Sequence, residues 1–163
     1  MNRQMRRTNK EVTDRGWMED ILKKGQVICL ALASPDGVPY ALPMGYGFDG
    51  GAIYIHGARS GLKNELIAAN PRVAFNVTLD AEVARSSVGS EFSMKYKSVS
   101  GFGTAREVTD LAEKNSALQI LMNQYDGPHT DLTEKNKDSV WIVRVDIAHM
   151  SGKISGYPKP GEC

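Results

Sequence analysis

From Val38 to Phe48, large and small side chains alternate without a break. Val38, Tyr40, Leu42, Met44, Tyr46 and Phe48 are bulky, whereas Pro39, Ala41, Pro43, Gly45 and Gly47 carry little or no side chain. Successive strand residues point to opposite faces, so the pattern predicts one strand with an apolar face and a bare face. The apolar run over residues 26–34 predicts a buried strand before it, with Pro35-Asp36-Gly37 as the turn between them. Asp49-Gly50-Gly51 predicts a second hairpin turn, leading to a third strand over residues 52–56.

Elsewhere the spacing turns helical. Trp17, Met18, Ile21 and Leu22 form one stripe; Thr13 or Asp14 can cap that helix, and Gly25 ends it after Lys24. A second helix is expected from Ser60 to Asn70, with Leu62, Leu66 and Ile67 inward and Pro71 closing it. A strand follows over 72–79, then a polar loop over 81–90, then a strand over 92–105 in which Phe92, Met94 and Tyr96 alternate with Ser93, Lys95 and Lys97. Thr109 or Asp110 caps a third helix reaching Gln124. A loop over 125–138 leads to a last strand over 140–147, with Trp141, Val143, Val145 and Ile147 on one face. Hairpin-linked strands argue for a mainly β fold, an antiparallel sheet closing into a barrel with helices outside. A doubly wound fold is disfavoured, because two-residue and three-residue turns cannot make parallel crossovers.

Composition narrows the function. At 163 residues the chain fits one domain, 1–163, with a basic arm over 1–12. Its net charge of +1 gives no overall field for nucleic acid or anionic membrane. Arg3, Arg6, Arg7 and Lys10 make the arm basic, but no aromatic platform accompanies them, so they read as a solvated tail. No apolar run is long enough to span a membrane and no signal peptide is evident, so a cytoplasmic protein is expected. Cys29 and Cys163 form no disulfide framework, and Cys29 is expected to be a small buried hydrophobe. His56, His129 and His149 are scattered, without metal-ligand spacing.

Two segments can carry chemistry. Arg59-Ser60-Gly61-Leu62-Lys63 places a hydroxyl, a glycine and two cations at a helix start, where unpaired N–H groups suit a phosphate. An ordinary capped helix with solvated cations explains the same residues. The bare strand permits a flat heteroaromatic ring to lie on the backbone near Met44 to Tyr46. Its prolines also fit a plain edge strand protected from aggregation. His56 ends the third strand; it is either structural or a proton donor, since an imidazole titrates near neutral pH. Lys95 and Lys97 are expected to be solvated or to face a second subunit.

At these residues the chain resembles the pyridoxamine 5′-phosphate oxidase-like FMN-binding split-barrel superfamily, within it most closely the nitroimidazole-resistance group. The resemblance rests on Met5-Arg6-Arg7, on residues 36–43 (Asp-Gly-Val-Pro-Tyr-Ala-Leu-Pro), and on 53–58 (Ile-Tyr-Ile-His-Gly-Ala) with Gly61 and Lys63. Asn70-Pro71-Arg72-Val73-Ala74-Phe75, Tyr96-Lys97-Ser98-Val99 with Gly101 and Gly103, and His149-Met150-Ser151-Gly152-Lys153 complete it. It implies a split barrel and a homodimer with FMN at the subunit interface. It also implies a ring site along Pro43, Met44, Gly45 and Tyr46, and a phosphate site along Gly57, Ala58, Arg59, Ser60, Gly61 and Lys63. By the same resemblance His56 lies near the ring and serves as the catalytic residue, and Ser98 and Val99 lie near cofactor or partner. The expected activity is an FMN-dependent oxidoreductase passing electrons to a small oxidised substrate such as a nitroaromatic. The rivals are a non-catalytic flavin- or haem-binding module and a pyridoxamine phosphate oxidase-like or deazaflavin-dependent enzyme.

Overall fold

The computed structural model describes residues 5–129 and 131–161, so Arg3 and Cys163 lie outside the described residues. Its strands are β1 (Glu11–Val12), β2 (Ile28–Ala33), β3 (Pro39–Met44), β4 (Gly47–Phe48), β5 (Ala52–Gly57), β6 (Arg72–Ala84), β7 (Ser93–Glu107) and β8 (Trp141–Ser155). Its helices are α1 (Arg15–Lys24), α2 (Leu62–Ala69) and α3 (Leu111–Gln124). The strands form one antiparallel sheet in the order β3-β2-β6-β7-β8-β5-β4, with β1 added on β8. The sheet curls but does not close, which is the split form of a barrel rather than the closed one expected from the hairpins alone.

Local chemistry explains most of the elements. Asp14 accepts the Trp17 N–H at 2.6 Å and Asp110 accepts that of Glu113 at 2.9 Å, so both helices start on a side-chain cap. The hairpin turns place Gly37 at φ +89° and Gly50 at φ +98°, where a side chain would be strained. Ile28, Leu30 and Leu32 of β2 face the main core with Ile53, Ile55, Val73, Phe75, Val143 and Val145. A second cluster, between α3 and the outside of β5 and β8, holds Tyr54, Leu121 and Ile142.

Three expectations are corrected. The strand over 38–48 is two strands: pairing with β2 ends at Met44, and pairing with β5 begins at Gly47. The chain must cross there from one end of the open sheet to the other, so Gly45 and Tyr46 leave the ladder. Residues 81–84 are strand rather than loop, because Glu82, Val83 and Ala84 pair with Lys95, Met94 and Ser93 beyond a bulge. Cys29 is exposed rather than buried: in β2 it alternates with Ile28 and Leu30, and it lies on the outer face between Pro43 and Asn76. The bare face of β3 is as expected, with Pro39, Ala41 and Pro43 exposed and Tyr40, Leu42 and Met44 half-buried. Its two prolines are tolerated because β3 is an end strand with β2 as its only neighbour among the described residues.

Candidate functional site

The best-built candidate lies where β3, β5 and α2 meet. Between β5 and α2 the chain turns through residues 58–61, and Gly61 takes φ +128°, a conformation strained for any side chain. Gly61, not Ser60, is the N-cap of α2, and no side chain caps it. The Gly61 carbonyl accepts the N–H groups of Asn64 and Glu65 at 3.0 and 3.3 Å. The N–H groups of Gly61, Leu62 and Lys63 have no hydrogen-bond partner among the described residues. Asn64 Nδ2 donates to the Ala58 carbonyl at 3.1 Å and closes the turn on itself. Its Oδ1 is buried without a partner. The result is a rigid loop with three donors free at the positive end of a helix.

Lys63 completes the charge. A Cβ on Gly57 would stand 3.0 Å from Lys63 Cε and 3.2 Å from Nζ, so the lysine stem lies directly over the last residue of β5. The same position is 4.0 Å from Met44 Cε at the end of β3. Trp141, paired with Gly57 in the ladder, holds its ring 5.7 Å below Nζ. Lys63, in the first turn of α2, thus lies over Gly57 with the Met44 side chain of β3 close by. Phosphate-type anions fit this set, and the absence of a Cβ at Gly57 is what leaves room for the lysine.

Arg59 is directed elsewhere. Its Nη1 donates to the Asp138 carbonyl at 3.0 Å and meets the Asp138 carboxylate at 3.4 Å. That loop is itself pinned by Lys114, only 1% exposed, whose Nζ donates to the carbonyls of Lys137 and Val140 at 2.6 and 3.4 Å. Arg59 thus ties the turn to the loop before β8 through Nη1.

Of the ring residues, Pro43 and Gly45 are exposed and Met44 is half-buried, all along the ledge that ends at Lys63. Tyr46 is different. Its side chain is fully buried and its hydroxyl donates to the Leu22 carbonyl at 2.6 Å. Its N–H donates to the Tyr125 hydroxyl at 2.7 Å, so that backbone group is not free for a ligand. His56 is exposed, its side chain without a hydrogen bond or ion pair among the described residues, and strand alternation puts it on the face of β5 opposite to Lys63. Ser98 and Val99 do not join the cluster. Val99 is packed in the core, Ser98 is 7% exposed, and Ser98 pairs with Lys153, twelve residues along β8 from the Trp141 that pairs with Gly57. That is on the order of 40 Å of strand contour. Lys95 and Lys97 are engaged by Glu82 and Asp80 at 3.0 and 2.7 Å.

Trp141, Asn64, Asp138 and Tyr125 belong to the site and were not singled out from sequence. A tryptophan that begins a strand or a tyrosine that ends a helix gives no local signal. A hollow of ≈ 480 Å³ on the outer face, lined by Ala31, Ala74 and Phe102 among others, contains none of the site residues. Pro43, Gly45 and residues 58–61 are exposed, so the site is an open ledge, marked by its charge and its free donors. Among the described residues no cluster of side chains could hold a metal ion, and no helix is long and apolar enough to cross a membrane.

An open antiparallel sheet of the split-barrel type with helices packed outside it, and an anion-ready turn after its fifth strand, define the class of fold. Residues 14–154 match the pyridoxamine 5′-phosphate oxidase family, and the chain belongs to it. A comparison with curated proteins finds no match. Among solved structures the chain is similar to an FAD and haem binding protein from Mycobacterium smegmatis, at 26% identity and TM-score 0.80, over 93% of this chain and 77% of that one. A candidate 5-nitroimidazole antibiotic resistance protein from Bacteroides thetaiotaomicron superimposes with TM-score 0.78 at 24% identity, over 88% of this chain and 86% of that one. A flavocytochrome from Azotobacter vinelandii reaches TM-score 0.79 at 18% identity, over 98% and 75%.

Proposed function

We propose that the protein is a cytoplasmic FMN-dependent oxidoreductase that works as a homodimer and reduces a small oxidised substrate, a nitroaromatic being the leading class. The observation that carries this reading is the convergence of Lys63, the free N–H groups of Gly61, Leu62 and Lys63, and the end of β3 at Met44, next to exposed Gly45. One end of that arrangement suits a phosphate and the other a flat ring. Membership of the family and the flavin named for two of the similar structures favour a flavin over other phosphorylated planar ligands.

In this reading Lys63 and the turn hold the phosphate, and Gly57 keeps the lysine in place by lacking a side chain. Met44 and Gly45 carry the ring. A bound flavin supplies electron and hydride transfer to an acceptor. His56 is the proton donor of this reading; because it is exposed on the face of β5 away from Lys63, it acts on substrate across the subunit contact and not within its own ledge. Dimerisation follows from the openness of the ledge. One protomer leaves the ring half in water, and the outer face beside it is lined by small groups: Cys29, Ala31, Ala41 and Pro43. Ser98 and Val99, remote from Lys63 within one chain, belong in this reading to the contact with the second subunit.

The test begins with the absorbance spectrum of protein purified without added cofactor, and with mass identification of what denaturation releases. Flavin bands and released FMN are expected. In Lys63→Ala the FMN affinity is expected to fall at least a hundredfold, and in His56→Ala nitroaromatic turnover falls while FMN stays bound. A colourless protein that ignores added FMN refutes the proposal. The resemblance to an FAD and haem binding protein supports one alternative, a flavin or haem carrier without turnover. Released haem, or bound flavin that NAD(P)H and nitroaromatics fail to cycle, would establish it.

A further inference from the structure

Tyr125 stands out among the aromatic residues. It ends α3 and is 41% exposed, yet its position is fixed on every side. Its N–H and that of Gly127 both donate to the Met122 carbonyl, at 3.0 and 2.9 Å, across a tight turn in which Asp126 takes φ +52°. The hydroxyl accepts the Tyr46 N–H at 2.7 Å and donates to the Gln26 carbonyl at 2.8 Å. Next to it, Gln124 Nε2 donates to the carbonyls of Leu22, Lys23 and Gly25 at 3.0, 2.9 and 2.8 Å, fastening the helix end to the end of α1. A Cβ on Gly45 would lie 3.2 Å from the Tyr125 hydroxyl and 3.8 Å from Cζ. The phenol therefore rests on the one step of the bare strand where the ladder breaks.

A tyrosine whose polar end is consumed by the protein and whose ring stays open to solvent is a prepared apolar contact. Ordering it on binding costs little, because it is already ordered. We infer that Tyr125 is a binding residue of the ring subsite. Its aromatic ring packs against the planar heteroaromatic end of the ligand above Met44 and Gly45, while its hydroxyl withholds the Tyr46 N–H from that ligand. The subsite thus reads the ring by shape at this step and not by a hydrogen bond from Tyr46. This inference rests on the proposed FMN reading and adds a wall to it that the bare strand lacks.

The test uses light emission as well as affinity. A phenol touching an excited flavin donates an electron and quenches it; the electron then returns, and neither group is altered. A benzene ring does not do this. FMN is titrated to saturation into the full-length protein, its Tyr125→Phe and Tyr125→Leu variants, and Lys63→Ala, with circular dichroism to confirm the fold. Wild-type bound FMN is expected to be dim. Tyr125→Phe should bind within about fivefold of wild type and emit at least threefold more at saturation. Tyr125→Leu should also be brighter and bind about tenfold more weakly. A purely structural tyrosine would change melting temperature and affinity without changing the emission of the saturated complex. Unchanged emission in Tyr125→Phe, or wild-type bound FMN as bright as free FMN, overturns the inference. If Lys63→Ala still abolishes binding, the FMN reading survives that failure. If wild type binds no FMN at all, both fall.

Discussion

Gly57→Ala isolates the charge of Lys63 without removing it. The new methyl carbon would sit 3.0 Å from Lys63 Cε, inside normal contact distance, so the flexible end of the lysine must retreat by some tenths of an ångström. Gly57 lies in an ordinary strand, and no positive φ is recorded for it, so the backbone accepts alanine without strain. Fold stability should change by no more than about 1 kcal/mol, the low end for a small overpacking relieved by a side-chain shift. The effect on a phosphate is larger. At an effective dielectric of about 20, moving a unit charge from roughly 3.0 to roughly 3.7 Å from an anion loses about 1 kcal/mol. That is about fivefold in affinity for a monoanion and roughly thirtyfold for a dianion. The assay is a pair of titrations, FMN and riboflavin, followed by calorimetry or fluorescence. Riboflavin lacks the phosphate and should bind the variant as it binds wild type. Equal losses for both ligands, or no loss for FMN, would refute the placing of the phosphate beside Lys63.

Two further predictions concern pH. Burial opposes the charge of Asp49, but the Ala52 and Gly51 N–H groups, the Tyr54 hydroxyl and Arg144 together hold its carboxyl below the usual range. A depressed carboxylate stabilises the fold above its unfolded value and loses that contribution as pH falls through the folded one. Asp49→Asn should therefore melt lower than wild type at pH 7, and the gap should narrow as pH falls below about 4; a gap that does not narrow at all on acidification would count against it. Tyr54 is pushed up to about 12, by burial first and then by its bond to Asp49. Its contribution is whole below pH 10 and is lost as pH rises from 10 towards 12, at most about 3 kcal/mol. Tyr54→Phe should flatten the alkaline fall of melting temperature in that window, and an unchanged slope would refute the assignment.

The parts of the fold written in local chemistry were legible in the sequence. Asp14, Gly37, Gly50 and Asp110 act within a few residues of themselves, and each does what its type predicts; Gly25 ends α1 as expected, but in an extended conformation, and a Cβ there would collide with Tyr46 and Val77. The two-faced strand was legible too, because alternation needs no knowledge of a partner. What escaped depends on partners far along the chain. Residues 148–155 show no alternation, and the last strand was expected to end at Ile147, yet they are strand because β7 supplies a ladder from Phe102 to Tyr96 beyond a register shift. Residues 81–84 are strand for the same reason, beyond a bulge at which Asp80 takes φ +52°. Ser60 had the better credentials for a cap, but Gly61 reaches a conformation that serine resists, and the helix starts one residue later. In the site, the Arg59-to-Lys63 segment was recognisable, whereas the partners that sort its two cations were not. Asp138 takes Arg59 and Trp141 receives Lys63, each about eighty positions away in the chain, while Gly57, only six before the lysine, leaves it room.

The openness of the ledge leads to the last prediction, that FMN binding and dimerisation are one equilibrium. Tyr125 and Gly45 cover the ring subsite from one side only, and exposed Val38 and Leu62, at 58% and 51%, lie in the segments that flank it. If the second subunit supplies the missing side, FMN binds the dimer and not the monomer. At a hundred times its dissociation constant FMN then stabilises the dimer by about 2.7 kcal/mol per site. Two sites give roughly 5.4 kcal/mol, or about ten-thousandfold in the dimer dissociation constant. Sedimentation of protein diluted to nanomolar concentrations, with and without FMN, reads that shift directly. Ala31→Glu places a charge on the half-buried outer face of β2, beside Cys29 and Ala41, without touching the main core. It should leave the melting temperature of the diluted protein near that of wild type, abolish the dimer, and abolish FMN binding with it. A monomeric Ala31→Glu protein that binds FMN as wild type does would show that one chain completes the site by itself.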